Sequence, residues 1–285
     1  MKEYGIFEMK IGIYRNFSIE QSEVVMLAFV EEAKKQGFEI FTMEKIDGCT
    51  TVETMKDLAT QSDVIAVFGG DGTVLSVVPY ASRSDVAILA VNAGHLGFLT
   101  EIERTEISVA LQKLKDGNYS VDVRHMLRVS YGKRSAHGLN DVVFMRETRN
   151  HTTKLTAYLD GAFVDTFSGD GIIITTPTGS TAYSLAAGGP ILSPNLRANA
   201  LVPLCVHSLY NRPIVFSETE TLTVEVNGKG VLLMVDGKEV LKCSEGERFT
   251  VDKSTRYAKF VRFNPSDFYS RLFQKLTQWN TGRGR

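Results

Sequence analysis

Cysteine is scarce: Cys49, Cys205 and Cys243 are the only three, and no two stand at metal-binding or redox spacing. A sparse, odd set reads as reduced thiols and excludes a disulfide scaffold. No apolar run approaches the roughly 18 residues a membrane helix needs. The first ten residues carry Lys2, Glu3, Glu8 and Lys10 and lack the apolar stretch of a secretory signal. A cytoplasmic location without a membrane partner is the expectation. An excess of charge is missing too: 32 Lys and Arg face 33 Asp and Glu. Without a basic surplus or stripe, nucleic acid is not expected as a partner. Three familiar nucleotide signatures are also absent. There is no G-x-x-x-x-G-K-[ST] loop and no H-R-D with D-F-G pair, and Gly12–Phe17 after the first strand does not read G-x-G-x-x-G. What is present is a chain of 285 residues, 43% hydrophobic, enough to bury one large or two modest cores.

The first part alternates short apolar strands with helical stretches. Lys10–Tyr14, Phe38–Met43, Val64–Phe68 and Val86–Val91 read as strands, and Ile19–Gln36, Thr51–Ala59 and Thr105–Lys115 as helices. Val64–Phe68 is apolar throughout, as strands covered on both faces tend to be. The alternation predicts a parallel, Rossmann-like, doubly wound sheet. From Val121 the texture becomes short alternating strands broken by Gly132-Lys133, Asp160-Gly161, Asn227-Gly228 and Asp236-Gly237. These dipeptides suit two-residue hairpins, so an all-β unit is predicted. Asn264-Pro265 opens a last amphipathic stretch, Phe268–Trp279, predicted as a helix that docks back. The expected division is an α/β phosphate-binding domain at 1–122, a β-rich domain at 123–262, and a returning segment at 263–285.

Gly69-Gly70-Asp71-Gly72-Thr73 follows the third strand and leads into helix-forming residues. Glycines let a backbone approach a polyphosphate closely, and helix-start amides favour an anion. Asp71 would stand at the carboxyl end of a parallel strand, where open sheets bind ligands. An ordinary Gly-rich turn capped by Asp71 is the alternative. Asn92–Leu99 supplies a second Gly-containing loop to that edge; Phe98 and Leu99 could face a purine or belong to the local core. His95 reads as a structural hydrogen-bonder. Gly169–Tyr183 runs from an apolar strand into a loop with five hydroxyls, Thr175, Thr176, Thr178, Ser180 and Thr181. They suit ribose, phosphate or base edges, although helix capping uses one or two. Tyr183 could stack on a base or fill core. Asn140-Asp141 opens a strand and is either a turn or a polar pair for a ligand.

Taken in order, GGDGT, NAGHLGFL, LNDVVF and GDGIIITTPTGSTAYSLAAGGP, continued by His207–Phe216 and by Val235–Gly237, resemble the NAD kinase family. The resemblance implies phosphorylation of the adenosine-ribose 2′-hydroxyl of NAD, giving NADP. ATP or polyphosphate would be the donor, with a divalent metal such as Mg²⁺ and no metal ligand assigned. It also implies an α/β and a β-rich domain with NAD between them, assembled as a homodimer or homotetramer. By motif, Asp71 would be catalytic, activating the 2′-hydroxyl, and Gly69, Gly70, Gly72 and Thr73 would form the phosphate loop. NAD would be held by Asp71, Gly72, Phe98, Asn140, Asp141, Thr178, Thr181, Ala182 and Tyr183, with Asp170 toward the nicotinamide end. Asp141 departs from the Glu frequent at that place, and Ala186 and Ala187 stand where some relatives carry a hydroxyl. Lipid or sugar kinases sharing GGDGT are the rival within the same chemistry. A non-catalytic nucleotide sensor is the rival from another class.

Overall fold

The computed structural model describes residues 9–94, 97–148, 152–206, 212–264 and 268–280, the last with side chains to residue 277. The chain divides into two compact units, 1–123 with 258–285, and 124–257.

The first unit contains β1 (Lys10–Arg15), α1 (Glu20–Lys35), β2 (Glu39–Thr42), β3 (Thr50–Thr51), α2 (Met55–Gln61), β4 (Val64–Gly69), α3 (Asp71–Ser84), β5 (Ala87–Asn92) and α4 (Ile107–Lys115). Its strands pair in parallel in the order β5-β4-β1-β2-β3. Every residue of β4 is buried, because helices cover both faces of the sheet. On one face Ile11, Ile13, Ala66 and Phe68 pack with Met26 and Phe29 of α1 and Leu111 and Leu114 of α4. Phe29 meets Phe68 edge-on with centroids 5.2 Å apart, and each such buried ring is worth roughly 1.5–3 kcal/mol. The other face carries α2: a Cβ at Gly12 would lie 3.1 Å from Leu58 Cγ. Helix α2 starts later than the expected Thr51. Thr54 accepts a hydrogen bond from the Asp57 amide at 3.1 Å and caps the helix there, while Thr50 and Thr51 pair with β2.

The second unit contains β7 (Arg134–Gly138), β8 (Asp141–Arg146), β9 (Thr153–Leu159), β10 (Ala162–Gly169), β11 (Gly171–Thr175), α5 (Tyr183–Ala186), β12 (Ala198–Leu204), β13 (Ile214–Ser217), β14 (Leu222–Val226), β15 (Val231–Val235) and β16 (Lys238–Cys243). Strands β6 (Ser120–Tyr131) and β17 (Arg248–Arg262) carry the chain between the units. One antiparallel sheet runs β13-β12-β11-β8-β15-β16, and the other includes β10-β9-β14-β17. Their apolar faces share a core that includes Leu127, Phe144, Phe167, Ile172, Ile174, Leu222 and Phe249. Alternating strands of this kind pack face to face as a sandwich.

Three of the four expected hairpins form. Gly132-Lys133, Asp160-Gly161 and Asp236-Gly237 close β6–β7, β9–β10 and β15–β16, and the last two place both central residues at positive φ. Asn227-Gly228 does not close a hairpin. Strand β14 pairs with β9 and β17, whereas β15 pairs with β8 and β16, so this dipeptide passes the chain from one sheet to the other. The Asn227 side chain is held by Glu225 and Thr156, and the positive φ falls on Gly230.

The terminal stretch is a helix, α6 (Phe268–Asn280), docked on the first unit. Arg271 donates to the Thr100 carbonyl and pairs with Glu101 at 3.6 Å, and Phe268 packs against Phe98 with centroids 6.4 Å apart. The architecture is therefore an α/β domain with a parallel sheet, a β-rich domain, and a returning C-terminal helix. Among the described residues no helix is long and apolar enough to cross a membrane.

Candidate active site

Strand β4 ends at Gly69, and Gly70 caps α3 without a side-chain hydrogen bond. Asp71 is the first residue of that helix rather than its cap. Gly69 is required by close approach, since a Cβ there would lie 2.8 Å from the Thr73 Cβ. Gly70 and Gly72 instead face open space. The Thr73 and Val74 amides bond the Gly70 carbonyl. That leaves the Asp71 and Gly72 amides without a partner inside the helix, at its positive end. Among the described residues no backbone carbonyl takes these two amides, and amides of this kind at the start of a 14-residue helix suit an anion.

The Asp71 carboxylate does not hang free. Oδ2 accepts from the Phe98 amide at 2.9 Å, and Oδ1 from the Leu99 amide at 3.0 Å. Gly97 permits this: a Cβ there would collide with that same carboxylate. The loop supplying the amides is tied at its base by Glu101 N to Ala90 O and Asn92 N to Ile102 O. Buried Arg262 braces it further, donating to the Leu99 carbonyl and the Glu101 carboxylate at 3.1 and 2.9 Å. Each Asp71 oxygen thus keeps acceptor capacity while its direction is fixed. Leu99 is core, whereas Phe98 is half-buried. The Phe98 ring lies beside Phe268 and 4.1 Å below the Lys275 ammonium. Lys275 also stands 3.4 Å from Asp71 Oδ2.

In the second unit, Asn140 and Asp141 enter β8 beside β11, with Asp141 in register with Thr175. Their backbone is gripped by Asp236, which accepts from the amides of Leu139, Asn140 and Asp141 at 2.7, 2.7 and 3.1 Å. From the other side Thr175 and Thr176 hydroxyls donate to the Asn140 and Leu139 carbonyls. Gly179 sits against the Asn140 backbone, where a Cβ would lie 2.6 Å from the Asn140 Cα. Ser180 donates to Pro177 O at 2.7 Å and accepts from Leu192 N at 3.0 Å. Most of the hydroxyl richness read from the sequence therefore serves this loop's own backbone. Thr178 is half-buried and accepts from Arg124 at 3.2 Å. Thr181 is buried and donates to Thr178 O, while Ala182 is half-buried and Tyr183 exposed.

Burial, followed by the neighbouring Asp236 carboxylate, pushes the Asp141 carboxyl up to about 7. Burial also raises Asp236, against the pull of its three amide bonds. Asp170 lies at the opposite end of β11, roughly 16 Å along the strand, and its carboxylate pairs with Arg146 at 2.9 Å.

The structure thus assembles Gly69–Thr73 and Phe98 in one unit, and Asn140, Asp141 and Thr178–Tyr183 in the other, with Asp170 set apart. His95 and His207–Asn211 lie outside the described residues. Residues 13–119 match the family model described as the ATP-NAD kinase N-terminal domain, and residues 139–263 the ATP-NAD kinase C-terminal domain.

The chain belongs to the NAD kinase family.

Curated relatives agree. The NAD kinase of Thermoanaerobacter sp. (strain X514) is 38% identical over 285 residues, covering 98% of this chain and all of that protein. The NAD kinase of Moorella thermoacetica is 38% identical over 237 residues, covering 81% and 76%. Among solved structures, an NAD kinase from Archaeoglobus fulgidus in complex with ATP superposes with a TM-score of 0.75 at 25% identity, covering 94% of this chain and 99% of that one. The yeast NADH kinase complexed with NADH reaches 0.87 at 24% identity, covering 95% and 88%, a likeness of fold.

Two residues that bear on these NAD kinase motifs, Lys275 and Arg124, were not singled out from the sequence, and Asp236 was named there only in a turn and in the Val235–Gly237 motif. Lys275 was hidden in an amphipathic helix, and its only signal was that helix's return. Asp236 read as a hairpin residue, which it is, while its carboxylate also organises a loop about a hundred positions earlier in the chain. Arg124, which reaches Thr178, carried no local pattern at all.

Proposed function

We propose that this enzyme transfers the γ-phosphoryl group of ATP to the adenosine-ribose 2′-hydroxyl of NAD. The O2′–H bond gives its proton to Asp71 as the O2′–P bond forms and the bond to the leaving ADP oxygen breaks. The observation that carries this reading is the Asp71 carboxylate, aimed by two backbone amides at the start of α3. Phosphoryl transfer depends mainly on alignment and charge stabilisation, and this arrangement offers both. The Asp71 and Gly72 amides suit the donor's phosphates. Asn140, Asp141, Thr178, Thr181, Ala182 and Tyr183 are assigned to NAD, and Asp170 to its nicotinamide end.

Among the described residues no group of three His, Cys, Asp or Glu is placed to cage a metal. Mg²⁺ is commonly held by one or two carboxylates together with substrate phosphates. Asp71 is a carboxylate that would hold it, and the ion would neutralise phosphate charge. A cytoplasmic homodimer or homotetramer belongs to the same proposal and rests on the family alone.

The test is direct. Purified protein with NAD, ATP and Mg²⁺ is expected to form NADP, detected by an NADP-specific dehydrogenase. Parallel reactions with NADH or polyphosphate resolve acceptor and donor. Failure of every pair, or phosphorylation of a lipid or sugar instead, would overturn the reading.

A further inference from the structure

We propose that Lys275 is a donor-binding residue. Its ammonium is parked on Asp71 in the free enzyme and passes to the phosphate chain of ATP when the donor arrives. The inference rests on the kinase reading above. The turn Gly69–Thr73 and the following residues to Ser82 contain no Lys or Arg, so this segment offers amides to a polyanion and no full positive charge. Lys275 supplies one from α6. Its side chain is 15% exposed, its nitrogen stands 3.4 Å from Asp71 Oδ2, and it lies 4.1 Å over the Phe98 ring.

The contact is loose. Charge-assisted hydrogen bonds between ammonium and carboxylate usually run about 2.7–2.9 Å, and an ammonium has three N–H groups to place. A largely buried cation that has, among the described residues, one long bond and an aromatic face gains by meeting phosphate oxygens. Helix α6 is held without it: Phe268 packs on Phe98, and Arg271 binds Thr100 and Glu101. These two precede Lys275 by seven and four positions, on the same helix face. The ammonium can therefore shift between partners while the helix stays docked. Its departure opens Asp71 Oδ2, one of the two oxygens that would accept the ribose hydroxyl. Lys275 gives up no proton in this exchange; it changes anions.

The test uses the full chain with Lys275→Met, Lys275→Gln, Lys275→Arg and Arg271→Ala. Readouts are KM for ATP at saturating NAD, kcat, Kd for NAD by calorimetry, and Tm. Removing the charge is expected to raise KM for ATP about 10–100-fold, the scale of a charged hydrogen bond, with Kd for NAD within twofold of the parent. Lys275→Arg keeps the charge and should recover most of the loss. Arg271→Ala should lower Tm and disturb KM for ATP less. The proposal fails if both neutral variants keep KM for ATP within twofold of the parent. It also fails if Arg271→Ala matches them and Lys275→Arg restores nothing, since docking of α6 would then explain the loss. If the Lys275→Met chain does not fold, Lys275→Gln and Lys275→Arg decide. A parent enzyme that forms no NADP removes the kinase reading and this proposal together. A working parent with indifferent variants removes this proposal alone.

Discussion

In each unit a carboxylate accepts hydrogen bonds from consecutive backbone amides: Asp71 from Phe98 and Leu99, Asp236 from Leu139, Asn140 and Asp141. The device is the same and the surroundings are opposite. Asp71 starts a 14-residue helix, keeps 31% of its side-chain surface and has a cation as its third partner. Asp236 sits in a hairpin turn at φ 47°, is largely desolvated, and has a second acid, Asp141, beside it. Two amides aim a carboxylate and leave it acceptor capacity. Three amides take up most of it and turn it into a clamp. The first arrangement suits chemistry on a ligand; the second fixes a loop so that its neighbours can meet one.

The sharpest way to break this comparison is to neutralise Asp71. Asp71→Asn is expected to lower kcat by about 10²–10⁴-fold, the usual worth of a positioned general base. It should leave the Kd for NAD within a few-fold of the parent. The exchange carries its own structural cost. One oxygen becomes an NH₂ facing a backbone amide, so a buried donor loses its acceptor, a change worth about 1–3 kcal/mol. Turnover and Tm should be measured together. Turnover near the parent value would remove Asp71 from the mechanism and end the distinction drawn between the two acids.

A second test uses glycines, one beside each motif. A Cβ at Gly179 meets the Asn140 backbone, which cannot move aside without disturbing β8. A Cβ at Gly97 meets the Asp71 carboxylate and a Thr100 methyl, which are side chains. Gly179→Ala is therefore expected to cost about 1–3 kcal/mol of stability, the range of overpacking in a filled site. Gly97→Ala should cost less stability and act on kcat, because Asp71 is turned from its aim. Denaturant unfolding and steady-state rates separate the two. Equal stability losses would mean that the Asp71 turn is as rigid as the Asn140 loop.

Much of this was legible in the sequence, for identifiable reasons. Periodicity gave the parallel strands, since a strand covered on both faces must be apolar at every position, as Val64–Phe68 is. The Gly69–Thr73 turn was legible from three glycines around one acid, although close packing requires glycine only at Gly69, while Gly70 and Gly72 face open space. Asp160-Gly161 and Asp236-Gly237 were legible from the positive φ that their turns demand. Asn227-Gly228 misled because a local turn signal does not say which strands will pair; Thr156 and Glu225, distant and near in the chain, took its side chain instead. The five hydroxyls of Thr175–Thr181 were read as a ligand surface or as caps, and the fold spends most of them on the Leu139–Asn140 carbonyls and on their own turn. Lys275 lay 204 positions from Asp71, and no local pattern reports a contact at that range.

The smallest expected effect tests the clamp. Asp141 is held at about 7 in the folded chain, against an ordinary value of 3.8. A carboxyl raised in the folded state favours folding in its protonated form. Relative stability is therefore greatest below the unfolded pKa and falls as pH rises toward and through 7. By linkage this one group should cost about 1 kcal/mol between pH 6 and pH 8. Asp141→Asn has no proton to lose and keeps a similar shape beside Asp236, so its stability should change less over that interval. Unfolding free energies of both proteins at pH 6 and pH 8 provide the check, and the difference between the two slopes is the quantity to read. Matching slopes would mean that Asp141 carries its charge without penalty. Asp141 and Asp236 would then not be a desolvated pair, and the contrast with Asp71 would lose its physical basis.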